Sequence, residues 1–366
     1  MKLTAILNLK PQTSNPNIMP NLLLTEKCVR ACPYCFAKEY LKASNKDLLS
    51  WENLIYIADL FESSHEKHLS LLGGEPTLHP DFIDFVLYLY QRKFHVNVFT
   101  SGILSDKNLN AAKEYLLKVP VENLSFVCNY NHPNSSTDAE TAQINKFFKQ
   151  FAKYISLSFN LYQKEFDFGF LVDAILKYEL KKHIRLGLAQ PIPGQKNECL
   201  SLEEIQELPP KFRAKLEILE KHRISIGFDC GMPLCIFSDE DIGRFFKLNG
   251  GRVAFSCGPA IDIGPDMQVW ACFPLANYEK KSLYDFNSAA EINNYFSMQH
   301  NTIRKEKSGI FEACKTCTYL KEDLCKGGCL ARLFNEQYLY KLPRPSGTPS
   351  KFEGDMGYPT LNLEPQ

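Results

Sequence analysis

The chain has 366 residues, 45% of them hydrophobic, which is more than one typical domain needs and suits a large barrel-like unit with a smaller module. Lysine plus arginine equals aspartate plus glutamate at 42 each, so no global field draws the protein to nucleic acid or anionic lipid. The apolar start is too short for a signal peptide and no run of about eighteen apolar residues occurs. The expected location is therefore the cytoplasm, without a membrane partner, and the 13 cysteines read as metal ligands rather than disulfides.

Residues 1–20, with Pro11, Pro16 and Pro20, form a lead-in segment. An apolar run at 22–24 then opens a strand and leads into Cys28-Val29-Arg30-Ala31-Cys32-Pro33-Tyr34-Cys35. Three residues and then two separate the sulfurs, so one loop can fold round a soft metal centre and give it three ligands. Four would close the shell; three leave a position for something else to bind, the mark of a reactive rather than a structural metal site.

Short apolar runs then alternate with helical patterns, the signature of a parallel sheet covered by helices. Ser50 is placed to cap a first helix whose Leu54, Ile57, Ala58 and Phe61 fall on one face. The same spacing recurs at Phe82, Phe85, Val86 and Leu89, at Ile144, Phe147, Phe148 and Phe151, and at Leu171, Ala174, Ile175 and Tyr178. Strands are expected at 68–72, 95–100, 123–128, 154–159 and 184–189. With the opening strand this makes six strand-then-helix steps, an α/β core in the form of a partial barrel.

In such barrels the loops at the C-terminal strand ends carry the site. The cysteine loop lies at the first. Gly73-Gly74-Glu75-Pro76 lies at the second, where two glycines let backbone approach a ligand and a carboxylate or carbonyl can accept from an ammonium group. Thr100-Ser101-Gly102 ends the third, and Asn129, Asn160 and Gln190 end the next three. Arg185 lies inside its strand and is a poor choice for binding a carboxylate. Cys128 and Cys199 stand alone and read as small core residues.

Residues 194–223 give a linker and a helix, with Ser201 and Glu204 spaced as a capping box. A strand pattern at 224–228 leads to eight cysteines: Cys230, Cys235, Cys257, Cys272, Cys314, Cys317, Cys325 and Cys329. The last four read Cys-x2-Cys-x7-Cys-x3-Cys, a set able to place sulfurs round a zinc ion or at the corners of a cluster. Residues 258–266, followed by Val269 and Trp270, read as a hairpin with tight turns that carries Cys257 and Cys272 to one end. The tail from Pro343, rich in proline, glycine and serine, cannot bury much. The expected division is 1–20 lead-in, 21–223 core, 224–340 cysteine-rich domain and 341–366 tail.

The Cys-x3-Cys-x2-Cys spacing with Tyr34 before its last cysteine, together with Gly73-Gly74-Glu75-Pro76, resembles the radical S-adenosylmethionine enzymes. The resemblance implies a (β/α)6 partial barrel and a catalytic 4Fe-4S cluster held by Cys28, Cys32 and Cys35. It implies S-adenosylmethionine chelated at the fourth iron, Tyr34 against the adenine, and the methionine amino group received at Gly73–Pro76. One electron then gives a 5′-deoxyadenosyl radical that abstracts hydrogen from substrate. Thr100, Ser101, Asn129, Asn160 and Gln190 are the further candidates for the nucleotide; Ser101 stands where the family often has asparagine.

The C-terminal third resembles the extension called SPASM, which carries auxiliary 4Fe-4S clusters in peptide-modifying members. Here the middle spacing is seven rather than five, and no cysteine follows Cys329. Eight cysteines divide into two sets of four, giving two fully coordinated auxiliary clusters whose ligand partition is not readable from sequence. One cluster, with Cys230 and Cys235 as core residues, and a zinc site at Cys314–Cys329 remain open.

The implied reaction is hydrogen abstraction from a peptide or protein, giving a cross-link, an epimer or an oxidised residue. An external one-electron donor such as flavodoxin or ferredoxin is expected, and a separate leader-recognition protein where the substrate carries a leader. Phe273, standing where sulfatase-maturing members commonly have aspartate, argues against that activity. The rivals are dehydrogenation or rearrangement of a small metabolite, and a non-catalytic iron–sulfur electron carrier or binding protein.

Overall fold

The computed structural model describes residues 20–37, 48–194, 196–251 and 260–334. All but Pro20 of the lead-in segment, the tail and Cys257 lie outside the described residues.

Seven strands run parallel in chain order: β1 (Asn21–Thr25), β2 (His68–Gly73), β3 (His95–Thr100), β4 (Leu124–Asn129), β5 (Ile155–Leu161), β6 (His183–Leu188) and β7 (Ser225–Asp229). Helices α1 (Trp51–Ser63), α2 (Phe82–Gln91), α3 (Asp106–Leu116), α4 (Asp138–Phe151), α5 (Gly169–Tyr178), a short α6 (Leu202–Gln206) and α7 (Pro209–His222) connect them. The expected caps are present: Ser50 accepts from the Asn53 N–H, and Ser201 with Glu204 forms the capping box of α6.

Alternation along each strand separates two faces. Leu124, Phe126 and Cys128 of β4 are buried with Phe147, Phe148 and Phe151 of α4, so that face holds the core. The other face is polar: Ser125 donates to Asn97, Asn160 to Asn129, and Arg185 to Ser158 and Asp229. The expected phenylalanine stripes therefore pack under the sheet, and the opposite face is left for chemistry.

The sheet extends past the expected six strands and stays open. β7 pairs with β6, and β8 (Ile261–Ile263) runs parallel to β1 at the other side. The antiparallel β9 (Gln268–Ala271) and β10 (Lys281–Ser282) follow it, giving the order β10-β9-β8-β1-β2-β3-β4-β5-β6-β7. The hairpin read from sequence is β8–β9, with Ile263 opposite Val269. The cysteine-rich region thus contributes strands to the sheet of the core, and hydrogen bonding continues across residue 223. Among the described residues three further helices follow in this region, α8 (Asp239–Leu248), α9 (Ala289–Lys307) and a short α10 (Thr318–Lys321). Among the described residues no helix is long and apolar enough to cross a membrane.

His300 of α9 is buried, and burial, with the Arg304 charge second, pushes its imidazole from 6.5 down to about 4. The folded chain keeps this ring neutral while the unfolded chain protonates it. Stability contributed by the ring is full above 6.5 and is lost as pH falls toward 4, by up to about 3 kcal/mol. Urea denaturation between pH 7 and 4.5 should show this slope, and His300→Leu should flatten it.

Candidate active site

The two motifs are joined through backbone. Gly74 N–H donates to the Thr25 carbonyl at 2.8 Å and Glu75 N–H to the Lys27 carbonyl at 2.7 Å, so the Gly-Gly-Glu stretch is laid along the chain leading into the cysteine loop. Only glycine fits this approach: a Cβ on Gly74 would stand 2.2 Å from the Lys27 carbonyl oxygen, and one on Gly73, whose φ is +151°, 2.2 Å from that of Thr25. Gly74→Ala is therefore expected to destabilise the protein by about 3 kcal/mol or more and to push the loop at Lys27 out of register. Thermal melting reads the first effect and loss of S-adenosylmethionine binding the second.

Glu75 is 1% exposed. Its Oε1 accepts from the Thr77 N–H (3.3 Å) and hydroxyl (2.8 Å) and from the Thr100 hydroxyl (2.7 Å). Its Oε2 accepts from the Ser101 N–H (2.7 Å) and hydroxyl (2.6 Å). The carboxylate, one of the two acceptors expected for a ligand ammonium, is thus surrounded by donors of the protein, which leaves that part to backbone carbonyls. Thr100 and Ser101 hold it in place, so the serine that departs from the family pattern supplies two of the five bonds. Pro76, buried with Thr77, begins a turn of 3₁₀ helix, Pro76–Leu78, whose last residue is exposed.

The cysteine loop is clamped at both ends. Arg30 Nε pairs with Glu140 at 3.2 Å and its Nη2 donates to Ser136 at 2.9 Å, tying the loop to the N-terminus of α4. Its buried Nη1 has no partner among the described residues, leaving a donor between Cys28 and Cys32. Pro33 carbonyl accepts from the Glu198 N–H at 3.0 Å. Below the loop, Leu23, Ala37, Trp270, Phe273 and Ala276 form a buried cluster against which Cys35 packs, and the Phe36 and Phe273 rings lie 4.9 Å apart. Phe273 is therefore a wall under the loop.

Tyr34, 7% exposed, is fixed by a polar relay. Asn160 donates to Asn129 (2.9 Å), Asn129 to the Tyr34 hydroxyl (2.8 Å), Tyr34 to Asn131 (2.6 Å), and Asn131 to Cys32 Sγ (3.7 Å). Burial, then the electrostatic effect of nearby Cys32, raise the Tyr34 pKa, so the ring stays a neutral donor. Tyr162 lies against it at 4.7 Å. Asn129 and Asn160, singled out at their strand ends, meet here. Asn131, two residues beyond Asn129, and Arg30, inside the loop, are the partners that sequence reasoning missed; the dense Asn129-Tyr130-Asn131-His132 run was the available signal for the first.

Gln190 lies apart from this relay. It accepts from Arg332 Nε at 2.7 Å and donates to the Cys230 carbonyl, joining the end of β6 to the C-terminal region.

Cys28 and Cys32 stand within electrostatic reach of each other, and burial, with Glu75 and Cys32 among the further causes, raises the Cys28 thiol. Among the described residues no three His, Cys, Asp or Glu converge on one ion. A cluster does not ask that of them, because each sulfur binds its own iron. Beside Tyr34 and Asn160 opens a cavity of about 430 Å³, lined by Asn131, His132, Phe159, Tyr162, Phe166 and Asp167 among others.

Residues 22–126 match the family model of the Radical SAM superfamily. An S-adenosylmethionine-dependent nucleotide dehydratase from Selenomonas ruminantium is 37% identical over 84 residues, 23% of this chain and 30% of that protein. The mitochondrial GTP 3′,8-cyclase of Arabidopsis thaliana is 36% identical over 94 residues, 25% of this chain and 24% of that one. The match thus spans under a third of these curated relatives. Among solved structures, anSMEcpe with bound AdoMet superposes with a TM-score of 0.61 at 18% identity, over 88% of this chain and 95% of that one. Streptococcus suis SuiB bound to its precursor peptide SuiA gives 0.59 at 14%, over 87% and 74%. At these identities the likeness is one of fold.

Proposed function

We propose that this chain, a member of the Radical SAM superfamily through residues 22–126, reductively cleaves S-adenosylmethionine and abstracts hydrogen from a peptide or protein substrate. The observation that carries the proposal is the backbone joint between the cysteine loop and Gly73–Glu75, which sets three thiols and a glycine-lined approach at the ends of adjacent strands. In this reading Cys28, Cys32 and Cys35 hold three irons of a 4Fe-4S cluster, and the cofactor, when bound at the fourth, supplies the 5′-deoxyadenosyl radical. The backbone of Gly73–Pro76 receives the methionine end. Tyr34, held by Asn129 and Asn131, presents a fixed ring to the adenine. The cluster takes its electron from an external donor such as flavodoxin or ferredoxin.

Two observations support a peptide substrate. Similarity of fold extends over some 87% of the chain to structures carrying a precursor peptide or, for anSMEcpe, the Cp18Cys peptide. The 430 Å³ cavity beside Tyr34 also combines apolar walls with His132 and Asp167, which suits a single side chain entering from a longer segment. A separate leader-recognition protein joins this scheme where the substrate carries a leader. A small metabolite is the second reading, favoured by the nucleotide-acting relatives, whose similarity is confined to 84 and 94 residues.

Deuterium transfer discriminates. Candidate peptides and metabolites deuterated at carbon are incubated anaerobically with protein, reductant and S-adenosylmethionine, and 5′-deoxyadenosine is analysed by mass. Label arriving from a peptide alone supports the proposal; label from a metabolite alone overturns the substrate class. No 5′-deoxyadenosine from intact cluster leaves an electron carrier.

A further inference from the structure

We propose that Arg332 is a positioning residue for the cysteine loop: from the C-terminal region it fastens the segment 189–200, and that segment holds the backbone at Pro33 and Tyr34. The positioning stands on contacts within the protein; its consequence for S-adenosylmethionine rests on the reading of Tyr34 given above.

Arg332 is 3% exposed. Its Nε donates to Gln190 Oε1 at 2.7 Å, its Nη1 to the Leu200 carbonyl at 2.8 Å and its Nη2 to the Ala189 carbonyl at 3.2 Å. One planar fork therefore joins both ends of a segment that leaves β6 and returns just ahead of α6. Packing delivers the arginine to this place. Leu330, Ala331 and Leu333 are buried with Leu275 and with Ile303 of α9, so apolar neighbours anchor the 3₁₀ turn Leu330–Phe334 while Arg332 meets the segment. A charge so deeply buried is tolerated only where its donors find acceptors, so arginine and segment hold each other.

The segment is laced to itself and then to the site. Asn197 folds back on its own base: its Nδ2 donates to the Gln190 carbonyl at 2.8 Å and its Oδ1 accepts from the Ile192 N–H at 3.1 Å. The same Nδ2 reaches the Tyr34 carbonyl at 3.5 Å, and the Glu198 N–H donates to the Pro33 carbonyl at 3.0 Å. Two successive carbonyls between Cys32 and Cys35 thus take donors from two successive residues of the segment. Glu198 also accepts from Gln163, next to Tyr162, whose ring lies 4.7 Å from that of Tyr34. Asn129 and Asn131 fix the Tyr34 hydroxyl, and the segment fixes its backbone. Freed at either end, the ring can turn about the other.

Anaerobically reconstituted Arg332→Met, Arg332→Lys and Asn197→Ala proteins test this by hydrogen exchange, iron content and S-adenosylmethionine affinity. In Arg332→Met, exchange in peptides covering 28–36 and 189–200 should rise about tenfold more than in β3–β5. Arg332→Lys offers a point charge in place of a fork and should give an intermediate rise. Asn197→Ala, in the half-buried part of the segment, should raise exchange at 28–36 with a melting temperature within a few degrees of the unaltered protein. Added to Arg332→Met it should change little more, because both act along one path. Iron content should stay unaltered, while the dissociation constant of S-adenosylmethionine rises about tenfold and turnover at saturation falls less than about twofold, the split expected of lost uniform binding. Should Arg332→Met fail to fold, Asn197→Ala decides alone. Unchanged exchange at 28–36 in a folded Arg332→Met or in Asn197→Ala would overturn the proposal, as would a rise in Asn197→Ala spread evenly over the sheet. Raised exchange at 28–36 with unaltered cofactor affinity would uphold the positioning and overturn instead the placement of Tyr34 against the adenine.

Discussion

Replacing Cys32 by alanine is expected to bring 5′-deoxyadenosine formation to background and to remove about four irons per chain, leaving the C-terminal iron in place. Cys32 sits mid-loop, with its carbonyl accepting from the Cys35 N–H at 3.1 Å and its sulfur taking the Asn131 amide. The substitution leaves the backbone bond intact and takes only the sulfur. The loop stays anchored through Arg30 and through the cluster under Phe36, so melting temperature in the apo form should move by no more than a few degrees. Loss of product with a retained fold is the signature of a ligand. Normal product from Cys32→Ala would remove Cys32 from the site.

Glu75 should behave in the opposite way. Its carboxylate accepts five hydrogen bonds from Thr77, Thr100 and Ser101 in a buried setting, so Glu75→Ala strands donors on two segments at once. Bonds to a charged acceptor contribute about 1.5–3 kcal/mol each, and stranded buried donors add a desolvation cost. We expect Glu75→Ala to lose about 4 kcal/mol, near the upper end for single changes, with a melting shift of roughly 5 °C. Glu75→Gln keeps the shape but turns an amide NH2 toward one of the donor pairs, and should lose about half as much. Thr100→Ala should cost little once Glu75 is already alanine, because the two act as a unit. A loss below about 0.5 kcal/mol for Glu75→Ala would mean that the carboxylate does not hold the strand ends together.

The parts of this molecule that follow a local rule were readable from the chain. Ser50 ahead of Leu54, Ile57, Ala58 and Phe61 fixes α1, and the Gly264-Pro265-Asp266 turn before Val269 marks the hairpin of β8 and β9. The parts set by topology were not. Nothing near Glu75 announces that Ser101, 26 positions on, will bond its carboxylate, because β3 must first be laid beside β2. Gln190 ends its strand as a nucleotide-binding residue would, yet its partner Arg332 is 142 residues away and arrives only when the C-terminal region folds back. The extra sheet strands obey the same logic. β7 carries the alternating pattern of a strand, but whether it joins β6 or begins a separate module depends on α7, whose Phe212 ring sits 5.6 Å from Phe228 and draws the strand back onto the core.

The central claim is a cluster held by Cys28, Cys32 and Cys35 with one iron left for S-adenosylmethionine. The direct measurement is electron–nuclear double resonance on the reduced protein, with the methionine amino nitrogen and carboxylate of the cofactor isotopically labelled. The account predicts hyperfine coupling from both labels, present in Cys235→Ala and absent in Cys32→Ala. A reduced, intact N-terminal cluster showing no coupling to either label would contradict it.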